Sequence, residues 1–235
     1  MANEHFKRTP TSSGNTRVFT ISIWIKSSGT TTGNVPLSTF EDGQNFLSIR
    51  TGSPLSSTPT SDSVLVYQID SGVDYSRYWD SIESDFSSWT HHLFAFNSTS
   101  LDVSERICYY RNGAKIKNYN DYYGTFPQNF EFKIDTSRSF DIFKNADHST
   151  YGTGQLFDYF FVDGQALTPD VFGFYKDGDG YISVGSTQAT DFRPGQWMPH
   201  SPTKIKKDIN RRGGFGVNGF YLPMNDSSNF GADFH

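Results

Sequence analysis

The chain has 235 residues, a length that suits one large β domain as well as two small ones. Its net charge of −5 lacks the basic footprint of a general nucleic-acid binder. Aromatic residues make up 17% of the chain, with 22 Phe and 13 Tyr, so a sizeable core is available although only 35% of residues are apolar. Gly, Ser, Thr, Asn and Asp are plentiful and Glu stands only at positions 4, 41, 83, 105 and 131, which favours strands and turns over long helices; no apolar run approaches the ~18 residues of a membrane span.

Met1-Ala2-Asn3-Glu4 does not open a secretory leader, and the expectation is a soluble product made in a cytosol-like compartment. Arg17 to Lys26 alternates, with Phe19, Ile21, Ile23 and Ile25 on one face and Thr20, Ser22, Trp24 and Lys26 on the other, which predicts a strand. Shorter strands are predicted at Asn45 to Arg50, at Asp62 to Asp70 with Leu65, Tyr67 and Ile69 on one side, and at Trp89 to Asn97. Thr51 to Ser61, rich in Ser, Thr, Pro and Gly, reads as an exposed loop. Glu105 to Arg111, then Asn112-Gly113, then Ala114 to Lys117 spell a hairpin, because Asn-Gly supplies the two positive φ values of a type I′ turn.

Further strands are predicted at Arg138 to Lys144, Gln155 to Val162 and Gly219 to Met224. Thr168-Pro169-Asp170, with Gly173 shortly after, gives one short helical turn, the only helix drawn from the sequence. Lys204, Lys206, Lys207, Arg211 and Arg212 read as a solvated loop. With no repeat and no linker the chain reads as one domain: a sandwich over residues 1–176, and a loop-rich, extended C-terminal arm over 177–235 with a returning strand at 219–224.

Catalytic chemistry is not legible. The single cysteine, Cys108, excludes an intrachain disulfide and reads as a small core residue. His91 and His92 alternate on a strand and face opposite ways, so they cannot share a metal. Glu83-Ser84-Asp85 approaches the paired carboxylates of a glycosidase but lacks the second Glu. Tyr175 to Ile182 imitates the middle of a calcium loop, yet the first and the bidentate ligand positions hold Tyr175 and Ser186, so a Gly/Asp turn is the reading. No catalytic, metal or cofactor-binding residues are assigned. The chemistry that remains is recognition: Asp74 to Asp80 and Asn118 to Gly124 mix aromatic faces with short polar groups, and Tyr75, Tyr78, Trp79, Tyr122 and Tyr123 are the candidate ligand-binding residues. That mixture suits sugar rings, a protein interface, or aromatics that cap the sandwich core.

The order of Phe19 to Lys26, Trp89 to Phe96, Tyr110 to Ile116 and Leu156 to Leu167 resembles the laminin-G-like branch of the concanavalin A-like fold over about residues 6 to 173. Phe6-Lys7-Arg8-Thr9-Pro10, Val162 to Pro169, Gln196 to Pro199 and Gly216 to Leu222 look like a subgroup found in virion proteins of marine bacteriophages and other aquatic viruses. The resemblance implies an all-β, antiparallel jelly-roll sandwich acting as a non-enzymatic virion structural protein: a capsid decoration, fibre or spike component at the virion surface, made in the host cytoplasm. Its implied partners are identical subunits, other virion proteins and a host surface glycan, with no nucleic acid and no membrane insertion. A structural calcium ion is compatible with such a fold, although the sequence names no ligands for it. The alternatives are a carbohydrate-binding, lectin-like adhesion module and, with less support from the residues, a glycoside hydrolase.

Overall fold

A computed structural model describes residues 5–27, 34–51, 63–80, 88–134, 138–145, 151–152, 154–177, 180–182 and 195–224. The strands are β1 (Phe6–Arg8), β2 (Val18–Ser27), β3 (Asn34–Asp42), β4 (Asn45–Thr51), β5 (Ser63–Asp70), β6 (Val73–Asp80), β7 (Thr90–Asn97), β8 (Ile107–Arg111), β9 (Ala114–Lys115), β10 (Tyr119–Asn120), β11 (Phe140–Ile142), β12 (Gly154–Asp163), β13 (Gly173–Asp177), β14 (Gly180–Ile182), β15 (Gln196–Pro199) and β16 (Phe220–Leu222). Among the described residues one α-helix, α1 (Pro202–Arg211), joins them, with 3-10 turns at Val103–Glu105 and Pro169–Val171. The strands form a seven-stranded sheet in the order β1-β11-β3-β4-β5-β6-β10, a six-stranded sheet β16-β12-β2-β7-β8-β9 and a three-stranded sheet β14-β13-β15.

The alternation read in β2 sets the main core. Phe19, Ile21, Ile23 and Ile25 face the seven-stranded sheet, from which Leu37, Leu47, Ile49, Val64 and Val66 reply. Phe19 and Phe96 stack at 4.1 Å, and Phe132 meets both edge-on at 5.5 and 4.9 Å. Offset and edge-to-face contacts of this kind add to the stabilisation from burial alone. Phe132 belongs to an irregular segment, residues 126–134, threaded between the sheets. Its backbone is satisfied by buried side chains: Gln68 donates to the Glu131 carbonyl at 3.1 Å and accepts from the Lys133 N–H at 3.0 Å, and Ser98 donates to the Phe130 carbonyl at 2.7 Å.

The hairpin at Asn112-Gly113 forms as read, with φ of 48° and 79°. A second turn of the same kind, Ser71-Gly72 with φ of 52° and 79°, joins β5 to β6. Asp74 to Asp80, read from sequence as a recognition segment between strands, is therefore itself a strand. On β5 the core face is Val64, Val66 and Gln68, while Leu65, Tyr67 and Ile69 take the outer face. Thr51 stands at the end of β4, and the rest of the expected loop lies outside the described residues.

The chain beyond β12 supplies a third layer. Leu93, Phe160, Val162 and Tyr221, on the outer face of the six-stranded sheet, pack against Leu167, Val171, Phe172, Ile205, Ile209 and Phe215. Pro202–Arg211, expected as a solvated loop, is a helix. Ser201 Oγ accepts from the Lys204 N–H at 3.3 Å, Pro202 occupies the first turn, and Ile205 and Ile209 fall one turn apart on the buried face while the lysines cover the other. Trp197 anchors the same layer against the Asn112-Gly113 turn. A Cβ on Gly113 would lie 2.4 Å from its ring and one on Gly173 2.5 Å, so the indole needs glycine on both sides. Asp158 sits in a β-bulge of β12, where the register passes from Phe157↔Trp24 to Phe160↔Ser22, with φ of 48°. The extra residue lets both Leu156 and Tyr159 face the main core.

Two substitutions test the third layer. Ile209→Ala is expected to cost about 2–4 kcal/mol in urea unfolding through the cavity it leaves, and Ser201→Ala about 1 kcal/mol through the lost cap. Both would be silent if this segment were a solvated loop.

Candidate functional site

The groups that imitate catalytic chemistry are structural ties. Ser22 Oγ and His91 Nε2 lie 2.9 Å apart, and the Trp197 indole N–H donates to His91 Nδ1 at 3.2 Å. Indole only donates, and burial holds His91 down to about 3, so the ring is neutral with its proton on Nε2. His91 therefore donates to Ser22, the reverse of what activating a serine nucleophile requires. His92 points the other way, into the main core, with Nδ1 3.0 Å from the Tyr109 hydroxyl. Burial pushes the Cys108 thiol up to about 11, away from the thiolate that reactivity needs. Asp163 lines a shallow cavity with Ser13, Asn15 and Val217, and its two oxygens accept from the Asn15 N–H at 2.7 Å and the Asn218 N–H at 3.1 Å. In the Tyr175–Ile182 segment β13 and β14 pair antiparallel, Tyr175 with Ile182 and Asp177 with Gly180, while residues 178–179 and Glu83-Ser84-Asp85 lie outside the described residues. Among the described residues no group of three or more His, Cys, Asp and Glu is placed to hold a metal ion.

The surface suited to recognition is the outer face of the seven-stranded sheet. That face carries Phe40 from β3, Phe46 from β4, Tyr67 from β5 and Asp74 from β6; its centre is covered, with Ser48, Leu65 and Phe46 buried, and it opens at Tyr122 and Tyr123. Ring centroids follow one another across the strands at 6.3 Å for Phe40–Phe46, 5.4 Å for Phe46–Tyr67, 5.8 Å for Tyr67–Tyr123 and 4.8 Å for Tyr123–Tyr122. The Tyr67 hydroxyl donates to Asp74 Oδ1 at 2.8 Å, and burial together with that carboxylate raises its pKa. Tyr122 and Tyr123 are the exposed end of the row, at 52% and 46%.

The five candidate residues divide accordingly. Because residues 73–80 are a strand, Tyr75 and Trp79 point into the main core, Trp79 at 1% exposure against Tyr109 and Tyr75 against Phe126 and Phe130. Tyr78 points outward but is covered, at 8%. Tyr75 and Trp79 therefore pack into the sandwich core, Tyr78 is covered on the outer face, and of the five only Tyr122 and Tyr123 stand exposed. The two segments singled out in the sequence are nonetheless neighbours: β10 pairs with β6 at Tyr119↔Trp79 and Asn120↔Tyr78, and the chain continues beside β6 through Tyr123 N–H to Ser76 Oγ at 3.2 Å and Ser76 N–H to the Gly124 carbonyl at 3.3 Å. Phe46 and Tyr67 were missed, while Asp74 opens one of the segments singled out in the sequence. The alternation of Leu65, Tyr67 and Ile69 was the available signal, but it does not say which face is inner.

No protein-family profile matches the chain, and no curated protein matches it. Several solved structures share part of its architecture. Domain 4 of a GH43 extracellular arabinanase from Geobacillus stearothermophilus, in complex with arabinotriose, is 19% identical with a TM-score of 0.45 over 70% of this chain and 68% of that one. Tailspike protein 2 from the Escherichia coli O157:H7 bacteriophage CAB120 is 8% identical with a TM-score of 0.42 over 67% of this chain, which spans 21% of the tailspike. The LG1-3 region of the laminin alpha2 chain is 12% identical with a TM-score of 0.44 over 70% of this chain and 31% of that one. The two facing antiparallel sheets of this chain form an all-β sandwich.

One titration follows from this geometry. Burial at the bulge pushes the Asp158 carboxyl up to about 6 from 3.8, against the opposing bond from the Tyr221 hydroxyl at 2.5 Å. Between those two values the folded chain keeps a proton that the unfolded chain releases, so this group lowers stability as pH rises through the window. Asp158→Asn keeps an acceptor for Tyr221. Its melting temperature is expected to gain on the wild type from about pH 4 to about pH 6 and then hold a constant advantage; parallel melting curves against pH would contradict the assignment.

Proposed function

We propose that the chain is a non-enzymatic recognition module of a virion surface, a capsid decoration, fibre or spike component, that holds a host-surface glycan on the outer face of its seven-stranded sheet. One observation carries the recognition reading. On the outer face of the seven-stranded sheet a row of aromatic rings runs from the buried Phe46 through Tyr67 to Tyr123 and Tyr122, and these last two stand exposed. Tyrosine rings offer flat apolar faces for the C–H side of a sugar together with a polar tip for its hydroxyls. The virion assignment rests on the sequence motifs at Phe6 to Pro10, Val162 to Pro169, Gln196 to Pro199 and Gly216 to Leu222. Absence of catalysis is part of the proposal, and the inverted Ser22–His91 pair and the raised Cys108 thiol support it.

The same row also suits a contact with an identical subunit, where tyrosines are preferred anchors. Light scattering combined with a glycan panel separates the two uses. A monomer that retains a glycan, with Tyr123→Ala weakening retention about tenfold, supports the recognition reading. A closed oligomer in which Tyr122 and Tyr123 become shielded from a fluorescence quencher, with no glycan retained, replaces it with subunit assembly. Trp79→Ala serves as the contrast: it is expected to lower stability by about 3–5 kcal/mol without acting as a ligand contact.

A further inference from the structure

We infer that Arg77 and Asp121 are positioning residues for the recognition face, a buried latch that holds Tyr122 and Tyr123 in place; the inference rests on the recognition reading above. Arg77 is 0% exposed and lies on the inner face of β6, beneath the surface on which the tyrosines stand. Its guanidinium forks onto one carboxylate, Nε to Asp121 Oδ1 at 2.9 Å and Nη2 to Asp121 Oδ2 at 3.1 Å. Nη1 donates to the Val103 and Ile107 carbonyls at 3.0 and 3.3 Å, and the Tyr119 ring lies 3.8 Å from the guanidinium carbon. One side chain thus joins β6, the start of β8 and the strap of residues 119–124.

Asp121 directly precedes Tyr122 and Tyr123, so the fork fixes the point where the strap leaves its short pairing with β6. Beyond that point the Tyr123–Ser76 and Ser76–Gly124 bonds tie the strap to β6, and Tyr123 then reaches across to Tyr67 at 5.8 Å. A planar, bidentate pair constrains orientation as well as distance, which a lysine in the place of Arg77 would not. Holding the tyrosines before a ligand arrives removes the ordering cost from binding. The latch acts through the tyrosines and touches no ligand itself.

Amide hydrogen exchange and glycan retention on the full chain test this with Arg77→Lys and Asp121→Asn. Because removing one partner of a buried pair can prevent folding, the double variant Arg77→Met with Asp121→Leu is measured beside them. In whichever of these folds, exchange at Tyr123 and Ser76 is expected to accelerate at least tenfold while β2 amides stay protected. Glycan retention is expected to weaken about tenfold, and adding Tyr123→Ala to the latch variant should cost little more. A folded variant with unchanged exchange at Tyr123 and unchanged retention overturns the latch. So does a full further loss on adding Tyr123→Ala. If the wild-type chain retains no glycan, the recognition reading falls, and exchange at Tyr123 still decides whether Arg77 and Asp121 hold the strap.

Discussion

The rest of the molecule depends on the two-sided burial of the six-stranded sheet. β2 and β12 place Phe19, Ile21, Tyr159 and Phe161 toward the other sheet and Phe160 and Val162 away from it. A sheet that is apolar on both faces cannot leave either in water, and burying side chains of this size is worth about 1.5–3 kcal/mol each. Two layers satisfy only one face. The chain therefore continues past β12 into the 3-10 turn at Pro169–Val171, the three-stranded sheet and α1, which close over the other. The outer face of the seven-stranded sheet mixes buried side chains, among them Phe46, Leu65 and Tyr78, with polar groups, and it opens at Tyr122 and Tyr123.

Polar groups inside this arrangement act as ties between segments distant in sequence. Gln68 holds residues 131–133, Asp163 holds Asn15 and Asn218, and Arg77 holds Asp121, Val103 and Ile107. Each is buried and each has partners for the atoms it presents, which is the condition for burial without a large desolvation penalty. Irregular stretches such as 126–134 are held in this way without strand pairing.

Period-two patterning made β2, β4, β5 and β7 legible, and Asn112-Gly113 gave its turn through the conformational demand of positive φ. His91, His92 and Cys108 were read as structural and are so placed. β3 escaped because Pro36 interrupts it and a register shift between Asn34 and Leu37 breaks its alternation. β6 escaped because Asp74, Ser76 and Arg77 make it look like a solvated segment, when Arg77 is among the most buried side chains present. α1 was hidden by its lysines: Ser201, Pro202 and the Ile205–Ile209 spacing were all in view, but four basic residues between Lys204 and Arg211 drew attention to charge. Of the candidate site, residue type was visible and facing was not. Which side of β6 is inner depends on pairing with β5, a contact that no local pattern encodes.

Among the described residues the outermost strands of all three sheets are short. β1 and β16 have three residues and β9 and β10 two, and the small sheet ends on β14 with three and β15 with four. A row of unpaired backbone groups that brief is a poor template for a strand from another molecule. Crowding many copies together, as any repetitive array would, thus favours contacts through side-chain surfaces over sheet extension, and such contacts separate again without unfolding either partner.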